Sequence, residues 1–219
     1  TLGADENMPI ASRMISKAVE NAQKKVEGRN FSIRKNVLKY DDVMNAQREI
    51  IYTQRREVLD GEDIHQNILN MINTIAEETV AMFVEGEDGK SVNEESLIPE
   101  VTNIFGLDMA EFIKANKNDS TAIIEEIEKQ AISKYQAKED EITPERMREL
   151  ERIVMLKVVD EKWMDHIDNM DELKNGIGLR AYGQQDPVVK YRVEGMDMFE
   201  EMIANIKVDV VKILMNIRR

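Results

Sequence analysis

The sequence predicts an all-α fold made of a long helical rod, a small helical lobe and a long antiparallel helical hairpin. Three observations carry this. Apolar residues recur at steps of three and four along most of the 219 residues. Two strong helix starts, Thr143-Pro144-Glu145 and Asp186-Pro187, each precede a long apolar stripe. No segment alternates convincingly enough to be a strand, and residues 92–98 are too polar to count.

Pro9 opens the first element, since proline suits the first turn of a helix. Ile10, Met14, Ala18, Ala22 and Val26 repeat at four. Ile33, Val37, Tyr40, Met44, Gln47, Ile51, Gln54 and Val58 continue at three and four. Fifty such residues make a rod of about 75 Å, with a bend expected near residues 28–30 at Gly28. A rod of that length with one apolar stripe is a coiled-coil arm or a scaffold for other domains.

A second helix is expected over 62–85 through Ile64, Ile68, Met71, Ile75, Thr79 and Met82. Residues 85–96 read as a polar loop with Gly86 and Gly89. The apolar stretch 97–105 ends at Gly106, and Asp108 with Glu111 has the spacing of a capping box. Residues 116–119 form another break, after which Ile123, Ile127, Ala131 and Tyr135 mark a further helix. The hairpin follows. Its first helix carries Met147, Leu150, Val154, Val158, Trp163, Ile167 and Met170, and is expected to end near Asn175-Gly176. Residues 176–185 contain three glycines and read as the connecting loop. The second helix carries Val189, Val193, Met196, Phe199, Ile203, Ile206, Val210, Ile213 and Ile217.

Composition narrows the function classes. Apolar residues are 42% and charged residues 33%, a balance suited to a well-solvated helical protein. With no cysteine there is no disulfide and no cysteine-ligated metal. No apolar run approaches membrane-spanning length, no signal peptide is visible, and a start at Thr1 is expected of an excised piece or a processed product. The net charge of -13 argues against a dedicated nucleic-acid binder. Charge is uneven: residues 13–56 hold 11 Lys/Arg against 5 Asp/Glu, net +6, whereas 57–162 hold 11 against 26, net -15. The basic segment is either a solvated face or lies against something acidic.

Catalytic signals are few. There is no glycine-rich phosphate loop, no Ser/His/Asp arrangement and no HExxH motif. His65 and His166 are far apart in the chain. Asp165, Asp168 and Glu172 share one helix face, where carboxylates can hold a divalent cation or simply face water. Trp163 lies on the apolar face and reads as a buried packing anchor. The 14 methionines fill gaps in a core or form a surface that repacks against moving partners. Tyr182, beside Arg180 in the glycine-rich loop, is either a contact residue or folds back on its own hairpin.

Two blocks carry a family resemblance. Asn30-Phe31-Ser32-Ile33-Arg34-Lys35, then Tyr40-Asp41-Asp42-Val43 and Gln47-Arg48-Glu49, resembles the long scaffold helix of the SecA family of ATP-driven preprotein translocation motors. Trp163-Met164-Asp165-His166-Ile167, then Gly176-Ile177, Leu179-Arg180, Tyr182 and Gln184, resembles the SecA two-helix finger. The resemblance spans essentially the whole chain, although residues 60–142 are placed by position alone. It implies a scaffold helix over 1–59, a helical wing over 60–142, and the finger with the end of the scaffold over 143–219. It further implies that Tyr182, Arg180 and Leu179 meet the preprotein and the SecYEG channel. Arg34, Lys35, Tyr40, Asp41, Asp42 and Arg48 are then residues of motor-domain packing and regulation.

ATP and Mg²⁺ belong, on the same resemblance, to motor domains that precede this segment, which itself needs no cofactor. The implied partners are those motor domains, the preprotein-crosslinking domain, the channel, unfolded preprotein and, through the channel, the inner face of the bacterial cell membrane. Nucleic acid is not among them. An isolated segment with an uncovered apolar stripe is expected to form homodimers. Gly178 stands where family members often have His, and Gly183 where Ala is common; both favour a flexible tip. A helical adaptor and a carboxylate-metal helical enzyme are the alternatives. Periodicity alone does not separate the first from a motor scaffold, whereas the two motif blocks do.

Overall fold

Burial along helix α1, Arg13–Leu59, is confined to its second half. The computed structural model describes residues 13–61, 63–85, 89–180 and 186–217, with side chains described from residue 16 onward and not at 178–180. At about 1.5 Å per residue the 47 residues of α1 span about 70 Å. The helix runs through Gly28 without the expected interruption, and Ser32 Oγ donates to the Gly28 carbonyl at 3.0 Å. Residues 16–38 are exposed on every face. Beyond them Gln47, Ile51 and Val58 are buried, and Tyr40, Val43 and Met44 half-buried.

The fold is all-α, with seven helices among the described residues. After α1 come α2 (His65–Met82), α3 (Glu94–Phe105), α4 (Ala110–Ala115) and α5 (Ser120–Ile142), then α6 (Pro144–Arg180) and α7 (Pro187–Asn216). Two residues of strand β1, Val84–Glu85, pair antiparallel with β2, Ser91–Val92. This ladder corrects the reading of 85–96 as loop, and α3 starts earlier than its apolar stretch suggests. Asn93 caps α3 by accepting from the Ser96 N–H at 3.1 Å, and Val92 is buried. The expected cap at Asp108 is also corrected: Met109 occupies that position without a side-chain cap. Asp119 does cap α5, accepting from the Ala122 N–H at 3.1 Å.

Helix α7 gathers the other elements. In its second half Ile206, Val210, Val211, Leu214 and Met215 are all buried, a face too wide for a single partner. The lobe of α2, α3 and α5 covers one side and α6 the other. Lysines of α5 seal two helix ends, as cations at carbonyl-rich C-termini should. Lys138 Nζ donates to the carbonyls of Met215 at 2.7 Å and Ile217 at 2.9 Å, ending α7. Lys134 Nζ donates to those of Phe105 at 2.7 Å and Gly106 at 2.9 Å, ending α3. Gly106 itself has φ 61°, a conformation that favours glycine, and a Cβ there would push aside the ends of Asn216, at 2.5 Å, and Lys134, at 2.6 Å.

Helix α6 outlasts its expected end at Asn175-Gly176 and continues to Arg180. Two glycines in a helix cost about 1 kcal/mol each. Burying Ile177, which is 1% exposed and packs with Tyr191 and Met170, returns about 2–3 kcal/mol. Packing therefore wins over propensity.

The lobe and α6 meet at a buried carboxylate. Glu151 takes a stripe position between Met147 and Val154, where Leu150 was expected, and is fully buried. Tyr135 Oη and Arg148 Nη1 both donate to Glu151 Oε1, and His65 Nδ1 lies 3.3 Å from that oxygen. Arg148 Nη2 donates to Glu139. Burial, with the hydrogen bond to Glu151 second, holds the Tyr135 hydroxyl far above its usual range, so the phenol stays a donor. Thr143 turns the chain from α5 into α6 at φ 88°, a region unfavourable for any non-glycine residue.

Replacing Arg148 by Ala would leave Glu151 charged and without its cation in a dry site. We expect a loss of about 3–5 kcal/mol in urea unfolding. Replacing Arg148 and Glu151 together by Met and Leu should cost less, because no charge is left at the fully buried position, although Tyr135 loses its acceptor and Glu139 its cation.

Candidate functional site

The site is the joint where α1 crosses the α6/α7 hairpin. It is assembled by the second half of α1, whose apolar spacing brings Tyr40, Met44, Gln47 and Ile51 onto one face. Gln47 sits at its centre, 4% exposed. Its Nε2 donates to the Gly195 carbonyl of α7 at 2.9 Å, and its Oε1 lies 2.9 Å from His166 Nε2 of α6. The first bond fixes the amide orientation, so Oε1 is the acceptor and His166 Nε2 carries the proton. One side chain thus ties three helices together.

His166 is buried between Trp163, at 5.6 Å between ring centroids, and Phe199, at 5.7 Å. Burial lowers its pKa from the usual 6.5, which keeps the ring neutral near pH 7. Trp163 is buried too, and its indole N–H has no hydrogen-bond partner among the described residues. Gly195 faces Met170: a Cβ there would meet Met170 Cε at 2.6 Å, so that side chain would have to shift.

Closer to the end of the hairpin the joint becomes aromatic and ionic. Tyr40 meets Tyr191 edge to face at 4.8 Å. Lys174 Nζ reaches Asp41 at 3.2 Å and lies 5.8 Å from the Tyr40 ring centroid. Tyr191 is buried with Met170 and Ile177. Its hydroxyl is pushed up to about 12, first by burial and then by the charges of Asp171 and Asp41. At the other end Arg55 holds Asp160 with two hydrogen bonds, 2.8 and 3.1 Å. Beside the joint a polar groove of about 320 Å³ is lined by residues including Asp41, Arg48, Asp171 and Lys174.

The structure brings together only some of the residues singled out from the sequence. Tyr40 and Asp41 lie in the joint. Asp42 and Arg48 are exposed on α1, and among the described residues Arg48 bonds only to Asn45 of its own helix, at 3.2 Å. Arg34 and Lys35 lie on the exposed first half, with no ion pair to another described residue. Leu179 and Arg180 end α6, with side chains outside the described part, and Tyr182 lies outside the described residues altogether. Asp165, Asp168 and Glu172 are exposed, and no group of three or more His, Asp or Glu among the described residues is arranged to hold a metal.

Gln47, His166, Gly195 and Tyr191 were not singled out as a unit. A glutamine at a position of the apolar stripe was the one visible signal for Gln47. The apolar stripe of α7 starts out of register: Val189, Val193 and Met196 are exposed, and Val188, Tyr191 and Gly195 face the joint instead. Asp186 caps α7 by accepting from the Val188 N–H at 2.9 Å.

Gln47→Leu removes the acceptor from a buried imidazole N–H and should cost about 1–3 kcal/mol in denaturant unfolding. His166 also makes stability depend on pH. Its folded pKa is lowered, so the unfolded chain binds the proton first as pH falls. Its contribution is intact above about 6.5 and is lost as pH falls through the folded value. Stability measured from pH 8 to 5 should therefore fall less steeply for His166→Gln than for the parent chain.

No helix among the described residues is long and apolar enough to cross a membrane. Residues 9–218 match the family model described as SecA Wing and Scaffold domain. The chain is 49% identical over 220 residues to the protein translocase subunit SecA 1 of Clostridioides difficile, covering 99% of itself and 24% of that protein. It is 49% identical over 224 residues to protein translocase subunit SecA of Acetivibrio thermocellus, covering 98% of itself and 24% of that protein. For the SecA of Pelotomaculum thermopropionicum the identity is 47% over 221 residues, with 99% and 25% covered. The chain therefore spans about a quarter of the length of these relatives. A match of this extent, on a helical rod joined to a helical lobe and a hairpin, places the chain in the SecA wing and scaffold domain family.

Proposed function

We propose that this chain is the scaffold, wing and two-helix-finger part of a SecA motor, and that it couples ATP-driven movement of neighbouring motor domains to preprotein movement through the SecYEG channel. The observation that carries this reading is the unequal burial of α1. Its second half is tied to the hairpin by Gln47, Tyr40 and Arg55. Its first half leaves Val19, Val26, Ile33 and Val37 bare at helical spacing, with Arg34 and Lys35 beside them. A rod gripped at one end and apolar at the other is built to pass displacement between a second domain and the hairpin. A regular helix resists bending because displacement strains its hydrogen-bond ladder.

In this reading the wing is 60–142, flanked by the scaffold helix 1–59 and the finger segment 143–219. Arg34, Lys35, Asp42 and Arg48 face the motor domains, and Trp163 anchors the stem of the finger. Tyr182, with Arg180 and Leu179, meets the preprotein at the channel mouth, on the inner side of the cell membrane. ATP and Mg²⁺ act in the motor domains. The residues of this chain do not fit such a site: it has no glycine-rich phosphate loop, and no metal-binding group is found among the described residues. On its own the chain forms concentration-dependent dimers through the bare stripe of α1, a state that sedimentation over a hundredfold range of concentration resolves.

Tyr182→Ala tests the reading at the finger tip. Unfolding of the chain should change by less than about 1 kcal/mol, the usual scale for a residue outside cores and caps. In the full-length translocase the same change should slow preprotein entry into channel-bearing vesicles and spare basal ATP hydrolysis. A loss of several kcal/mol, or undiminished translocation, would count against it.

A further inference from the structure

The last turns of α1 do not close completely on α2, α6 and α7. They leave a cavity of about 230 Å³. Its walls include Ile51, Val58, Ile64, Met155 and Ile206, all buried. The polar lining is Gln54, Asn67, Arg55, Lys207 and Glu57. The two cations differ in state. Arg55 is already held by Asp160 through two hydrogen bonds. Lys207 is half-buried and has neither an ion pair nor a hydrogen bond to any described residue. Glu57 is exposed, makes no ion pair with Lys207, and is screened by water.

Lys207 places a cation on the cavity wall that pairs with no carboxylate among the described residues. An anion beside it gains that attraction, and an alkyl chain attached to the anion has an apolar chamber to enter. Size limits the chain. A cavity of about 150 Å³ holds benzene, six heavy atoms, so 230 Å³ holds about nine. Two acyl chains of a membrane phospholipid do not fit. We propose that this cavity binds a single-chain aliphatic carboxylate of about eight carbons, with the alkyl tail among Ile51, Val58 and Met155 and the carboxylate on Lys207. Gln54 and Asn67 supply amide donors in the same lining. Such a ligand touches the scaffold helix, the lobe and both hairpin helices at once, so its binding stiffens their joint and raises the unfolding temperature.

The test uses the 219-residue chain labelled at its methionine methyl groups. Met71 and Met155 line the cavity, whereas Met164 is 68% exposed elsewhere on α6. Octanoate, kept below its micelle concentration, should shift the Met71 and Met155 methyl resonances saturably and leave Met164 in place. Octanol should bind about tenfold more weakly, as should octanoate to Lys207→Gln, while Lys207→Arg should keep the affinity. Equal affinity for octanol, or tighter binding of octylamine, would overturn the assignment of an anion. Absence of saturable shifts at Met71 and Met155, or a parallel shift at Met164, would overturn the cavity as the site.

Discussion

Helix α7 has to be buried in two different ways along one element, and the rest of the architecture follows from that. Its first half presents a single file, Val188, Tyr191, Gly195 and Phe199, which one neighbouring helix and a crossing rod can cover. Its second half presents Ile206, Val210, Val211, Leu214 and Met215, adjacent pairs that point to two sides. Only a helix inserted between two layers can bury such pairs. The lobe therefore sits where the face is wide, and the hairpin stem stands clear of it where the face is narrow. α6 must then run the full length of α7, which is why it passes through Gly176.

Two polar sites fix how these layers are registered, and they work by different means. At Gln47 every partner is neutral: an amide, a carbonyl and an uncharged imidazole. Neutral groups are desolvated at modest cost, and their directional bonds choose one sliding position of α1 on the hairpin. At Glu151 the partners are ionic, and a buried charge is tolerable only with its cation in place. Removing a partner at either site is costly for the same reason, an unmet polar group in a dry place, but the cost is about twice as large at the charged site.

The contrast within α1 gives the family assignment a mechanical sense. A long helix in an isolated globular unit is normally buried along one whole stripe. Here the stripe is used over half its length, and the exposed half is net basic, with Lys24, Lys25, Arg34 and Lys35 among its cations. Salt bridges such as Arg55–Asp160 and Lys162–Asp209 span helices but lie near the surface. They guide orientation more than they add stability. Rigidity at the joint comes from the buried aromatic and amide contacts.

The sequence by itself determined the helical elements, most of their starts and the family, but not the short β1–β2 ladder. Apolar steps of three and four do not fit strands, and Pro144 and Pro187 can only open helices where they stand. Along α5 the spacing also picked the right side chains, since Ile123, Ile127, Ala131 and Tyr135 are all buried. Tertiary structure decided the rest. Helix α7 carries apolar residues on more than one side, so it offers more than one stripe, and which one faces α6 depends on the partner, not on the period. Whether a glycine ends a helix depends on what the next residue buries, as Ile177 shows. The seam position of Glu151 depends on Tyr135 of α5 and on Arg148 one turn earlier in α6, which both donate to its Oε1, with His65 of α2 alongside. Periodicity is a property of one segment, whereas the pairing of polar groups is a property of three or more, and only folding brings those together.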